Sequence, residues 1–212
     1  MHPYATNSTE RTDVLVWLFV PVTLATIFVL WLFGEILGKF DFSPPIWLQA
    51  LVGGPSATVS LWLAYHQLES SWWKNRPLRW LLGIKLPDIE GEWKVEGRTS
   101  HEGDGLRFNP WDATVTIAQT WTEISVYLDA PESFSKSLNA VFAVKQEGGL
   151  SVLTYEYEST SRPTAPPTML DHHGVTRLTL KPLPKGLHYL DGDYYSDPKV
   201  RGNYGTMKLK RV

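Results

Sequence analysis

Two regimes of patterning divide the chain. Residues 14–33 contain no ionisable side chain, and a helix rising about 1.5 Å per residue carries that many residues across the roughly 30 Å hydrocarbon core of a bilayer. The run predicts a transmembrane helix over about 14–37. A second apolar run, about 46–68, has an uncharged interior and gathers Trp47, Trp62, Tyr65, Trp72 and Trp73 towards its ends, as interfacial aromatics do. The connection from Lys39 to Pro45 is short and stiffened by Pro44 and Pro45, so the two helices are expected to form an antiparallel hairpin.

Beyond Leu86 the pattern changes to alternation of apolar and polar residues between turn signals such as Glu147-Gly148-Gly149 and Pro184-Lys185-Gly186. It predicts strands at 89–98, 113–120, 123–128, 138–146, 150–159, 175–181, 188–196 and 206–211. About 125 residues with no covering helix must bury one apolar face and hide two sheet edges, and curling the sheet does both. The expected fold class is therefore all-β, an eight-stranded antiparallel lipocalin-like barrel preceded by a two-helix transmembrane hairpin. Residues 1–85 form the hairpin with a basic-aromatic joint, and 86–212 form the barrel. A sandwich is the other architecture such strands allow.

Charge sets the orientation and excludes some functions. Lys39 is alone in the connection, whereas Lys74, Arg76, Arg79 and Lys85 follow the second helix, which places the barrel in the cytoplasm, and with two crossings the N-terminus as well. The apolar run is too long for a cleavable signal peptide and lacks a small-residue cleavage site. From Leu86 onward, 14 Lys+Arg stand against 17 Asp+Glu, a net charge of −3, so no basic surface is available for a nucleic-acid polymer. The chain has no cysteine, which excludes thiol nucleophiles and cysteine-ligated metals. Small residues Ala50, Gly53, Gly54, Ala57, Ser60 and Ala64 recur at helical spacing on the second helix. They suit close packing against the first helix or association of several chains.

No nucleophile elbow, phosphate loop or metalloprotease pair occurs, so no enzyme, catalytic residue, metal or cofactor is expected. Asp171-His172-His173 reads as a solvated turn closing a proline-rich loop. More informative is the stretch from Leu190 to Gly202, where Tyr194, Tyr195 and Ser196 end a strand and Arg201 starts the return. Arginine grips phosphate through parallel hydrogen bonds, and tyrosine offers a stacking face and a hydroxyl. Tyr155 and Tyr157 alternate on another strand and share a face. Spacing alone leaves open a filled barrel in which Arg201 merely orders a turn. By the same alternation, Glu156, Glu158, Asp191 and Asp193 are expected to face away from the tyrosines. Ile89-x-Gly91-x-Trp93 with a late Arg211 is similar to the lipocalin arrangement, in which a tryptophan capped by an arginine seals the closed end.

The order of these parts resembles the SMODS-associated two-transmembrane, β-strand-rich effectors of CBASS antiphage systems. The resemblance rests on the hairpin, the joint, Leu86-Pro87-Asp88-Ile89-Glu90-Gly91-Glu92-Trp93, eight strands, and the turn from Gly192-x-Tyr194-Tyr195-Ser196 to Arg201-Gly202. It implies a cytoplasmic barrel that binds a cyclic di- or oligonucleotide made by a CD-NTase partner. It further implies homo-oligomer assembly on binding, and helices that breach the lipid of the bacterial inner membrane and kill the cell. The residues expected to bind the ligand are Tyr155, Tyr157, Tyr194, Tyr195, Ser196 and Arg201. The competing expectation is a membrane-tethered, lipocalin-like carrier of a small apolar molecule.

Overall fold

The computed structural model describes residues 1–6, 10–39, 45–100, 108–145, 149–167, 169–182, 188–200 and 202–212, with backbone alone for 10, 46–55 and 108. The chain divides into two compact units. One comprises Thr9–Lys85 and the other joins Met1–Ser8 to Leu86–Val212.

In the first unit, helix α1 (Glu10–Gly38) packs on α2 (Ile46–Ser70), followed by a 3₁₀ turn at Trp72–Lys74 and the short α3 (Arg76–Leu82). Among the described residues one helix, Arg11–Gly38, is long and apolar enough to cross a membrane, and only 17% of its most apolar stretch is buried. A core helix of a soluble protein hides its apolar surface, whereas α1 exposes Trp17, Phe28 and Trp31. The basic-aromatic joint is ordered by Trp73, whose ring carries the Lys74 ammonium at 5.5 Å and the Arg79 guanidinium at 6.0 Å. Gly83, at φ +67°, ends α3 in the left-handed conformation that favours glycine. Of the small-residue stripe, Ala64 is buried, while the side chains of Ala50, Gly53 and Gly54 lie outside the described residues.

Among the described residues the second unit is a closed barrel of nine strands, not eight. In chain order they are β1 (His2–Thr6), β2 (Gly91–Ser100), β3 (Phe108–Gln119), β4 (Glu123–Asp129), β5 (Ser133–Ala143), β6 (Ser151–Ser161), β7 (His172–Pro182), β8 (His188–Ser196) and β9 (Tyr204–Arg211). Around the wall the order is β1-β4-β3-β2-β9-β8-β7-β6-β5, and β5 closes onto β1. The additional strand, β1, precedes α1 in sequence. Five residues are too few for alternation to register. Three other strands start earlier than expected. Phe108–Asp112, Ser133–Ser137 and His172–Gly174 extend β3, β5 and β7.

Alternation determines which side chains enter the barrel. In β7, His172, Gly174, Thr176, Leu178 and Leu180 are buried, while His173, Val175 and Arg177 are exposed. One half of the interior is solid. Trp93, Trp121, Ile89, Ile117, Ile124 and Leu209 are all buried there. The Gln119 side chain accepts from the Ile89 N–H at 2.9 Å and donates to the Pro87 carbonyl at 3.2 Å, leaving neither end unmatched. Trp93 donates its indole N–H to the Ile89 carbonyl at 3.0 Å, and the Arg211 guanidinium sits 5.6 Å over its ring. This is the tryptophan-arginine seal expected from Gly91-x-Trp93, and Trp93 and Arg211 are cross-strand partners.

Candidate functional site

The other half of the barrel is hollow. A cavity of about 490 Å³ opens between the far ends of the strands, within the range of small-molecule sites. Tyr155, Tyr157 and Ser159 enter it from β6, His172 and Thr176 from β7, and Tyr194 and Ser196 from β8. Trp111 on β3, Thr99 on β2 and Met207 on β9 complete the inner wall, and Leu128, Ser133 and Ser135 come from the β4–β5 hairpin. Pro166 and Met169, from the proline-rich loop, border the mouth.

Three large rings are kept against the wall by glycine. Trp111 stands opposite Gly97, Tyr157 opposite Gly174, and Tyr194 opposite Gly205 in the register of adjacent strands. A Cβ on Gly97 would meet the indole at 2.1 Å, one on Gly174 the Tyr157 hydroxyl at 2.3 Å, and one on Gly205 the Tyr194 ring at 2.7 Å. The missing side chains leave room for rings to lie across neighbouring strands rather than project into the centre. Tyr194 meets the Trp111 ring edge-on at 5.9 Å, and His172 meets Tyr157 edge-on at 6.2 Å. Aromatic groups thus run around the wall from β3 through β8 to β6.

The polar groups in this wall are mostly neutral. Burial pushes the Tyr155 hydroxyl pKa above that of a free tyrosine, partly offset by its hydrogen bond with Thr176. His172 Nδ1 lies 2.9 Å from the Leu170 carbonyl, an acceptor that fixes the proton on that nitrogen. Among the described residues the buried Trp111 indole N–H meets no acceptor. No lysine or arginine lines the cavity among the described residues, and its two acids, Asp112 and Glu132, are exposed. The four strand acids singled out by alternation lie outside the cavity lining. Glu158 pairs with Lys136 at 3.1 Å, Asp191 pairs with Lys181, and Glu156 accepts from Asn139 at 2.6 Å.

The structure brings together Tyr155, Tyr157, Tyr194 and Ser196 of the expected residues. It removes Tyr195, which is 58% exposed on the outer face because neighbouring strand residues point to opposite sides. Arg201 lies outside the described residues. Described residues on either side of it border the cavity. Ser196 donates its N–H to the Asn203 carbonyl at 2.8 Å, and both side chains line the cavity. His172 corrects the reading of Asp171-His172-His173 as a solvated turn: it is buried inside the barrel, His173 faces out, and Asp171 accepts from the Ser161 N–H at 2.7 Å. Trp111, Thr176 and Asn203 were not singled out by sequence. Counting back in twos from Val115 reaches Trp111, but Pro110 marks a turn by composition and hides the strand.

Residues 84–211 match the protein family described as Cap15, cyclic dinucleotide receptor domain. The chain belongs to this family. The match begins two residues before the barrel unit resumes at Leu86 and omits β1. The Cap15 domain is thus the β2–β9 wall with its cavity. The chain is also 28% identical over 148 residues to CD-NTase-associated protein 15 of Yersinia aleksiciae. That alignment covers 70% of this chain and 65% of the relative, less than two thirds of its length.

Proposed function

We propose that the chain is a membrane-anchored antiphage effector whose barrel binds a cyclic di- or oligonucleotide made by a CD-NTase. Binding drives oligomerisation, and the helices then disrupt the bacterial inner membrane. The observation that carries this reading is the hollow end of the Cap15 barrel, lined by Trp111, Tyr155, Tyr157 and Tyr194. Ring faces along a wall suit planar bases, since base–aromatic stacking is worth about 1–3 kcal/mol per base. Hydroxyls of Thr176, Ser159 and Ser196 and the Asn203 amide suit hydrogen bonding to base edges and phosphate oxygens. Arg201, which lies between Ser196 and Asn203 in sequence, supplies the guanidinium for a phosphate. The role is that of a receptor, with no catalytic step assigned to any residue.

The anchor crosses the membrane twice in this reading. β1 and β2–β9 belong to one unit on one side of the membrane, yet α1 separates them in sequence. If α1 crosses, the chain must cross again before Leu86, and α2 is the helix available. The same argument disfavours a cleaved signal, since cleavage after α1 would remove a strand of the wall. Two helices per chain cannot enclose a polar path through lipid, because every exposed backbone group needs a partner, so several copies must cooperate.

The test is calorimetric titration of the full chain, in detergent or nanodiscs, with a panel of cyclic di- and trinucleotides. Tyr157→Ala is expected to weaken binding of the preferred ligand at least ten-fold, and Arg201→Ala likewise. Undiminished affinity in Arg201→Ala removes that residue from the site. Heat with no member of the panel, together with lipid released on solvent extraction and identified by mass spectrometry, would favour the apolar carrier.

A further inference from the structure

β4 and β5 are adjacent in sequence, yet they pair directly only near their connection, Tyr127–Asp129 against Phe134–Lys136. Below a register shift at Ser137/Asn139 they part, and β1 fills the gap. β1 runs antiparallel to β4 through His2↔Ile124 and Pro3↔Glu123, and parallel to β5 through Tyr4↔Ala140, Ala5↔Val141 and Thr6↔Phe142. The fork is pinned at Ser137, whose Oγ accepts the Val126 N–H at 2.9 Å and lies 2.7 Å from His2 Nε2. Deeper in the slot the Tyr4 hydroxyl donates to the Trp121 carbonyl at 2.9 Å, and its ring lies 6.4 Å from Phe142.

The closed end of this fork is the hairpin whose Leu128, Ala130, Ser133 and Ser135 line the cavity. The open end grips β1, which among the described strands is the one that precedes α1 in sequence and ends four residues before it begins. Cavity and slot are thus two ends of the same pair of strands. β1 is also the lightest hold in the wall: five register pairs, with Tyr4 alone fully buried. Segments with so few buried contacts open at the lowest free energy.

From this arrangement we propose that the β4–β5 slot is a regulated binding site for the chain's own N-terminal segment. Ligand pressing on the hairpin end of the fork loosens β1 at the other end, and the link between barrel and α1 is released. The inference rests on the cavity being the ligand site. In the resting state the wall is complete, with β1 seated between β4 and β5.

Hydrogen exchange of the full chain in nanodiscs tests it, with the cyclic nucleotide that titration identifies as the probe. Ligand is expected to slow exchange at residues 155–159 and 194–196, and to speed it at least ten-fold at residues 2–6. Ala5→Cys with Val141→Cys joins two outward, register-paired positions in a chain that has no cysteine of its own. Its oxidised form is expected to lose the acceleration at β1, and reductant to restore it. Slowed exchange at the cavity with unchanged or slower exchange at β1 overturns the clasp and leaves the receptor reading standing. No change at 155–159 or 194–196 overturns the cavity reading, and the clasp with it.

Discussion

Gly97 and Gly192 both face side chains or backbone too close for a Cβ, yet the two positions differ in what would have to move. At Gly97 the three nearest atoms all belong to the Trp111 indole, at 2.1–2.5 Å, so Gly97→Ala is expected to turn the ring off the wall and into the cavity. At Gly192 the nearest atom is the Arg177 carbonyl oxygen at 1.8 Å, in the backbone of the paired strand. Gly97→Ala is expected to keep a folded barrel and weaken ligand roughly ten-fold. Gly192→Ala is expected to cost about 1–3 kcal/mol of stability in urea unfolding, the usual range for overpacking. Tyr155 carries a pH signature. Its folded pKa is raised by burial, so above about pH 10 the unfolded chain loses that proton first and binds fewer protons than the folded state. Its contribution is therefore intact below that pH and is lost as pH rises through the folded value. Tyr155→Phe should flatten the alkaline fall in stability, read as the midpoint of urea unfolding between pH 9 and 11.

At the scale of elements, alternation was enough to find β2 to β9, though not the start of β3, because each buries one face against the same core over five or more residues. It put Tyr155 and Tyr157 on one inward face for the same reason, whereas their grouping with Tyr194 and Ser196 came from the family resemblance. It failed where a local signal contradicted the pairing. Asn109-Pro110 signals a turn, but Pro110 sits in β3 opposite Arg98 near the end of the ladder, where its missing N–H costs little. Tyr194-Tyr195 as a pair violates period two, and only one of them can enter the barrel. His2–Thr6 is a strand only because β4 and β5 leave a gap of its width, a tertiary cause with no counterpart in five residues of hydropathy. The hollow itself was not legible, since it depends on glycines whose partners across the sheet become known only with the register.

For the whole molecule, the position of β1 makes membrane topology testable by parity. Pro3 and Lys199 belong to one unit, whereas Lys39 ends the helix that separates them in sequence. A chain without cysteine allows single reporters at each point: Pro3→Cys, Lys39→Cys and Lys199→Cys, all at exposed positions. With a membrane-impermeant maleimide on intact spheroplasts, Lys39→Cys is expected to label from outside, while the other two label only after lysis. The expectation combines the uncharged length of α1, which fits one crossing, with the basic residues that follow α2 and favour retention inside. Labelling of Pro3→Cys and Lys199→Cys on opposite sides would mean that β1 cannot complete the wall. Labelling of all three on one side would mean that neither helix crosses, and the two-crossing anchor would fall.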